Sequence, residues 1–331
     1  MHENKPMKTL KPISIGVSLA LLAGCLPGAG LALESVPLPG PSINTEAIPT
    51  QAALSAALLA PQPEPHSVAA MREREYGTGE FVVDRLWYSY TLFDRYYVIY
   101  DSDGLSIHGY VNIPKGEGPF PVVMMIHGWI PRDEYETLDY TLRYADHLAK
   151  NGYIVLHPNM RSFPPSDPPP SGTRDFHAGY AADILNFVAY VREMAGTEGI
   201  FRTADISRMG IWGHSIGGSI AMRAMSVEPD TFQAALLYAP VSQRYGGVIP
   251  GSDIYDLSMV SAKLSIHHGE EDEVIRVGDS RRLCDQLTAI GKNPDCYFYE
   301  GQPHTLYRDQ WADPLLMERT LELFNNVLMG K

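Results

Sequence analysis

The stretch GIWGHSIGGS, residues 210–219, spaces Gly213, Ser215 and Gly217 as G-x-S-x-G. That pattern occurs by chance in many chains, so its flanks carry the argument. Upstream, RMGIWG (208–213) reads as a strand without polar alternation, as expected where both faces are covered. Downstream, IGGSIAMRAMSVEP (216–229) reads as a helix. A strand, a glycine turn and a helix would lift Ser215 to the crest of a nucleophile elbow, with the glycines keeping the turn free of side-chain clashes. The first N–H groups of the helix then favour negative charge beside the serine hydroxyl. The competing reading is a tight turn without chemistry.

Working outward, strand-like and helix-like segments alternate from about residue 76. RYYVIYD (95–101) and LSIHGYVNIP (105–114) predict an antiparallel hairpin turning at DSDG. FPVVMMIHG (120–128) is a continuous apolar run ending in glycine, as in a buried parallel strand. A helix is expected in LDYTLRYADHLAKNG (138–152), with Gly152 placed to stop it. YIVLHPN (153–159), FQAALLYAP (232–240), AKLSIHHG (262–269) and DCYFYEG (295–301) read as further strands. Helices are expected in 176–196, 278–291 and 314–330, while SFPPSDPPPSG (162–172) is too rich in proline for either form. Such alternation predicts a mostly parallel sheet covered by helices on both faces. No internal repeat is present.

The chain has 331 residues and a formal charge of −13, which argues against nucleic acid as a partner. Its N-terminus carries Lys5, Lys8 and Lys11, then the apolar run ISIGVSLALLAG, too short to span a bilayer but suited to a signal-peptide core. The run ends at LAGC (22–25), which resembles the lipobox of bacterial lipoproteins. This implies cleavage after residue 24, a lipid on Cys25, and an exported protein anchored at the bacterial cell membrane. A plain secretory peptide is the alternative. Residues 25–75, rich in proline and alanine, read as a largely disordered tether in which 51–60 could hold a helical turn or two. Residues 76–331 remain for one catalytic domain. Cys284 and Cys296 form an even pair in an oxidising compartment, readable either as a disulfide or as two buried thiols.

Four places carry candidate chemistry. Ser215 is the candidate nucleophile. In an elbow of this kind the partners follow in the chain order serine, acid, histidine. His304, in the loop YEGQPHTLY, is the histidine beyond Ser215 with a plausible acid before it. HHGEEDEVI (267–275) offers Glu270, Glu271, Asp272 and Glu273, and position alone does not choose among them. For the oxyanion, the N–H groups of Trp129 and Ile216 are candidate donors. His127 and His214 flank turns and read as structural. His2, His66, His108, His147, His157 and His177 lack metal-ligand spacing, so neither a metal nor a cofactor is expected. Tyr135, Tyr180 and Tyr245 are candidates to line the groove.

From about residue 95 onward the chain resembles the α/β-hydrolase fold, and within it the prolyl-oligopeptidase-like (peptidase S9) and related esterase branch. GHSIGG resembles that branch's elbow, IHGW (126–129) its oxyanion loop, LLYAPVS (236–242) its post-elbow strand and GQPHTL its histidine loop. HHGEEDEVI resembles its H-G-x-x-D-x-x-V segment, which implies Asp272 as the acid that orients His304. Large S9 peptidases place a gating β-propeller before this domain. Here about 50 residues and the tether precede the resemblance, too few for a propeller. The loop after His127–Gly128 also lacks the second glycine and proline frequent in peptidases. A small flap over 242–261 is the most lid that the spacing allows. The expectation is a serine hydrolase using Ser215, His304 and Asp272 through an acyl-enzyme. A small acyl ester is slightly favoured over a short peptide as substrate, and a non-catalytic surface binding protein on the same fold is the alternative.

Overall fold

Among the described residues the apolar runs become nine strands of one sheet: β1 (Phe81–Ser89), β2 (Phe93–Ser102), β3 (Leu105–Pro114), β4 (Phe120–Ile126), β5 (Ile154–Pro158), β6 (Ala204–His214), β7 (Ala234–Tyr238), β8 (Lys263–Gly269) and β9 (Asp295–Tyr299). The computed structural model describes residues 66–170, 178–242, 255–306 and 312–330. Contacts group the chain into two units, Met1–Ala60 and Pro61–Lys331, and every feature below belongs to the latter. Cys25, residues 51–60, Tyr245 and residues 243–254 of the expected flap lie outside the described residues.

The strand order is β1-β2-β3-β5-β4-β6-β7-β8-β9. The first three strands and β5 pair antiparallel, and every pairing from β5 through β4 to β9 is parallel. Successive side chains of a strand point to opposite faces. Val122, Met124 and Ile126 of β4 therefore enter one core, and Val123 and Met125 enter the other. Helices α1 (Val68–Arg72), α3 (Ala178–Met194), α4 (Ile216–Val227) and α5 (Val277–Ala289) supply residues to the first core. Helices α2 (Leu142–Lys150) and α6 (Ala312–Phe324) supply the second. A turn of π-helix, Asn325–Met329, follows α6. Both faces are covered, which explains why the central strands are apolar without alternation.

Two elements differ from the sequence-based expectation. β1 pairs with β2 from Phe81↔Tyr100 to Ser89↔Asp94, with bulges between Val83 and Arg85 and between Leu86 and Tyr88. The bulges break its side-chain period, and most of the strand is exposed. The tether expected through residue 75 gives way to α1, whose N-cap Ser67 accepts a hydrogen bond from the Ala70 N–H at 3.1 Å. Val68 and Met71, one turn apart, are buried, and the Arg72 guanidinium donates to the Ser226 carbonyl of α4. Two buried apolar side chains and an anchored arginine hold this short helix, which is too brief to persist alone.

Candidate active site

The parallel strands end together at one edge of the sheet, and the candidate residues sit in the loops beyond β4, β6, β8 and β9. Ser215 joins β6 to α4 with φ 57° and ψ −119°, a left-handed conformation that a non-glycine residue adopts only under constraint. Three backbone hydrogen bonds supply the constraint. Its N–H donates to Tyr238 O (2.8 Å), and its carbonyl accepts from Gly218 N (3.0 Å) and Val241 N (3.2 Å). Ser215 occupies the N-cap of α4, yet its hydroxyl makes no capping bond. Gly217 faces the strand ends: a Cβ there would lie 2.4 Å from Ile126 O and 2.5 Å from His127 O. The second glycine of the motif is thus fixed by contact between the elbow and β4.

Beyond β8 and β9, two loops are laced together by Glu270 N–H to Tyr299 O (2.9 Å) and Glu271 N–H to Gln302 O (3.0 Å). They bring Asp272 and His304 into contact, with Oδ2 of the aspartate 2.6 Å from Nδ1 of the imidazole. A carboxylate only accepts, so Nδ1 carries the proton and Nε2 keeps its lone pair. Oδ1 of Asp272 accepts from the N–H groups of Val274 and Ile275, each at 2.8 Å. Burial alone would raise the pKa of this carboxyl. Hydrogen bonds from His268 and His304, the electrostatic pull of His304 and the Ile275 N–H outweigh burial and hold it well below the usual carboxylate range. Glu270 pairs instead with Arg281 at the surface, and Glu273 is exposed.

His268, the residue before Gly269, was not singled out by sequence reasoning. It is fully buried, with Nε2 2.9 Å from Asp272 Oδ2 and 3.0 Å from Ile275 O, while Nδ1 accepts from Ser280 Oγ at 2.7 Å. It therefore holds the same carboxylate oxygen that His304 contacts. The HHG of the sequence carried this signal, but only the fold tells His268 from His267. His267 bonds the hydroxyls of Ser265 and Tyr299, and burial pushes its pKa down to about 3.

On the other side of the serine, a Cβ on Gly128 would stand 3.2 Å from the Ser215 Cβ and 2.8 Å from the Tyr140 hydroxyl. A side chain at 128 would push the loop off Ser215, so glycine keeps it close. Trp129 is the next residue, and its indole is 64% exposed, at the surface rather than in the core. Ile216, the other candidate donor, opens α4. His127 lies between Gly128 O (2.6 Å) and Asn159 O (2.9 Å), which supports its structural reading. His214 packs beside the loop of His304, its ring centroid 4.7 Å from that of His304.

Of the three groove tyrosines, Tyr135 is buried against His127 and Phe163, so it belongs to the core. Tyr180 is partly buried and packs towards Phe163. Cys284 of α5 and Cys296 of β9 are joined by a disulfide away from the elbow. Among the described residues no group of three His, Cys, Asp or Glu side chains is arranged to hold a metal ion.

"Esterase EstD" of Thermotoga maritima is 32% identical over 118 residues, 35% of this chain and 26% of that protein. "Probable dipeptidyl-aminopeptidase B" of Coccidioides posadasii is 24% identical over 239 residues, 64% of this chain and 25% of that protein. The chain spans well under half the length of these curated relatives. Among solved structures, Est1E of Butyrivibrio proteoclasticus, with ferulic acid bound, superposes with a TM-score of 0.54 at 18% identity, over 70% of this chain and 99% of that one. Residues 107–328, more than half of the chain, match the Dienelactone hydrolase family. With the doubly covered parallel sheet, that match makes the chain a member of the dienelactone hydrolase family.

Proposed function

We propose that the protein is a serine hydrolase that cleaves carboxylic esters through an acyl-enzyme. The observation that carries this reading is the Asp272–His304 contact, formed by two separate loops beside the strained Ser215 elbow. In the proposed cycle, Ser215 Oγ attacks the acyl carbonyl and His304 Nε2 takes its proton. The carbonyl oxygen becomes an oxyanion that receives the N–H groups of Trp129 and Ile216. Asp272 stabilises the imidazolium and does not itself take the proton. Collapse expels the alcohol with the proton from His304, and water repeats the sequence to release the acid.

The ester preference is supported by the esterase relative, and by an exposed Trp129 that offers an aromatic surface to an acyl or alkoxy group. Amide cleavage of short peptides is the second reading, supported by the longer match to a dipeptidyl-aminopeptidase. Organophosphonate labelling tests the nucleophile: wild type reacts at Ser215, and Ser215→Ala does not. Short p-nitrophenyl esters turned over faster than peptide p-nitroanilides would favour the ester reading, and the reverse order would overturn it. Unreactive Ser215 in the folded chain would remove both.

A further inference from the structure

Tyr140 plays no part in the cycle above, yet it touches Gly128 and His214, the chain neighbours of Trp129 and Ser215. It follows Asp139, whose Oδ1 accepts both the N–H (2.6 Å) and the hydroxyl (2.5 Å) of Thr141, so the segment entering α2 is fixed. The Tyr140 hydroxyl accepts the Gly128 N–H at 2.7 Å and lies 2.5 Å from His214 Nδ1. His214 Nε2 lies 3.1 Å from the carbonyl oxygen of His304.

Proton counting gives this chain one direction. A carbonyl only accepts, so Nε2 of His214 carries the proton and donates it to His304 O. Nδ1 is then a lone pair, and the single hydroxyl proton of Tyr140 must point at it. The hydroxyl oxygen in turn receives the Gly128 N–H. Burial keeps His214 neutral by lowering its pKa well below 6.5, and the neighbouring His304 acts the same way. The tyrosine hydroxyl, raised well above 10 by burial, stays protonated.

We propose that Tyr140 and His214 are positioning residues that tie the oxyanion loop to the loop of the general base. The chain runs from Gly128 N–H through the Tyr140 hydroxyl and the His214 ring to the His304 backbone. It bypasses the Ser215 hydroxyl. The Gly128 N–H, turned inward to Tyr140, belongs to the His127–Gly128 peptide, so this bond holds the peptide that precedes the one bearing the Trp129 N–H. The far end fixes the backbone from which the His304 imidazole projects. A shift at either loop is passed to the other, so donor and base stay in register with the nucleophile between them. This inference rests on the serine-hydrolase reading, because only that reading gives the two loops roles to coordinate.

The test uses the full chain, p-nitrophenyl butyrate and three variants: Tyr140→Phe, His214→Gln and the double substitution. A misplacement of about 1 Å at a reacting group can cost about 100-fold in rate. Tyr140→Phe is therefore expected to lower kcat by about 10- to 100-fold while KM changes less than about twofold. His214→Gln keeps a donor for His304 O but disturbs the acceptor for Tyr140, so the second substitution should add little to the first. Ring 15N signals of His304 should shift in Tyr140→Phe, although residue 140 does not touch that ring. Unchanged kcat, a matching rise in KM, or full additivity of the two losses would overturn the proposal. If wild type itself proved unreactive, the hydrolase reading would fall. Coupling between the loops would then be decided by the 15N spectra, and unshifted His304 signals would reject it.

Discussion

Ser215 holds a backbone conformation that costs of order 1–3 kcal/mol for a non-glycine residue, and its three backbone hydrogen bonds maintain it. The strain lifts the hydroxyl out of the capping role that a serine at an N-cap ordinarily takes. Asp272 is set with equal care by His268, His304 and two N–H groups. Asp272→Asn would present an amide that can donate where His304 needs an acceptor, favouring the wrong imidazole tautomer. Its kcat is expected to fall by about 10³- to 10⁴-fold, with Glu270→Gln staying within about twofold of wild type. Equal losses in steady-state assays would refute the distinction. The sequence could nominate Ser215, Asp272 and His304 for the proposed triad because each lies within a recognisable local motif and in the expected chain order. Tyr140 and His268 were not legible, since their importance comes from atoms 74 and 4 residues away that only the fold brings within reach.

At the scale of elements, central strands such as FPVVMMI and AALLY declared themselves by continuous apolarity. β1 stayed hidden because bulges and exposure remove the alternation that marks a half-buried strand. α1 was hidden for another reason: its two buried side chains are ordinary residues at the end of a proline-rich stretch. The pairing of Cys284 with Cys296 was likewise undecided by sequence, because an even count does not show that two side chains meet. The bond links α5 to β9 across a separation of 12 residues, and the chain-entropy model assigns such a loop about 3 kcal/mol. Replacing both cysteines by serine should lower the thermal midpoint by about 5–10 °C in calorimetry. An unchanged midpoint would show that the crosslink contributes nothing to stability.

For the whole molecule, burial of His157 and His267 sets a limit on acid tolerance. Burial lowers His157 to about 4, partly offset by Asp139, and lowers His267 to about 3, with Arg319 adding to the effect. Their value in the unfolded chain is 6.5. Between 6.5 and the folded value the unfolded chain binds protons that the folded chain refuses. Stability is therefore lost as pH falls, by about 1.4 kcal/mol per pH unit for each such group. Asp272 adds a loss of the same sign below its unfolded value of about 3.9. The urea midpoint should drop steeply between pH 6.5 and pH 4, and a flat midpoint over that window would contradict this account. The bulges of β1 bear on a different hazard. β1 ends the sheet and exposes Val82, Val83, Leu86 and Tyr88, a combination that invites strand addition by other copies of the chain. Two interruptions within nine residues spoil the regular ladder that such stacking needs, so the irregular edge guards against aggregation.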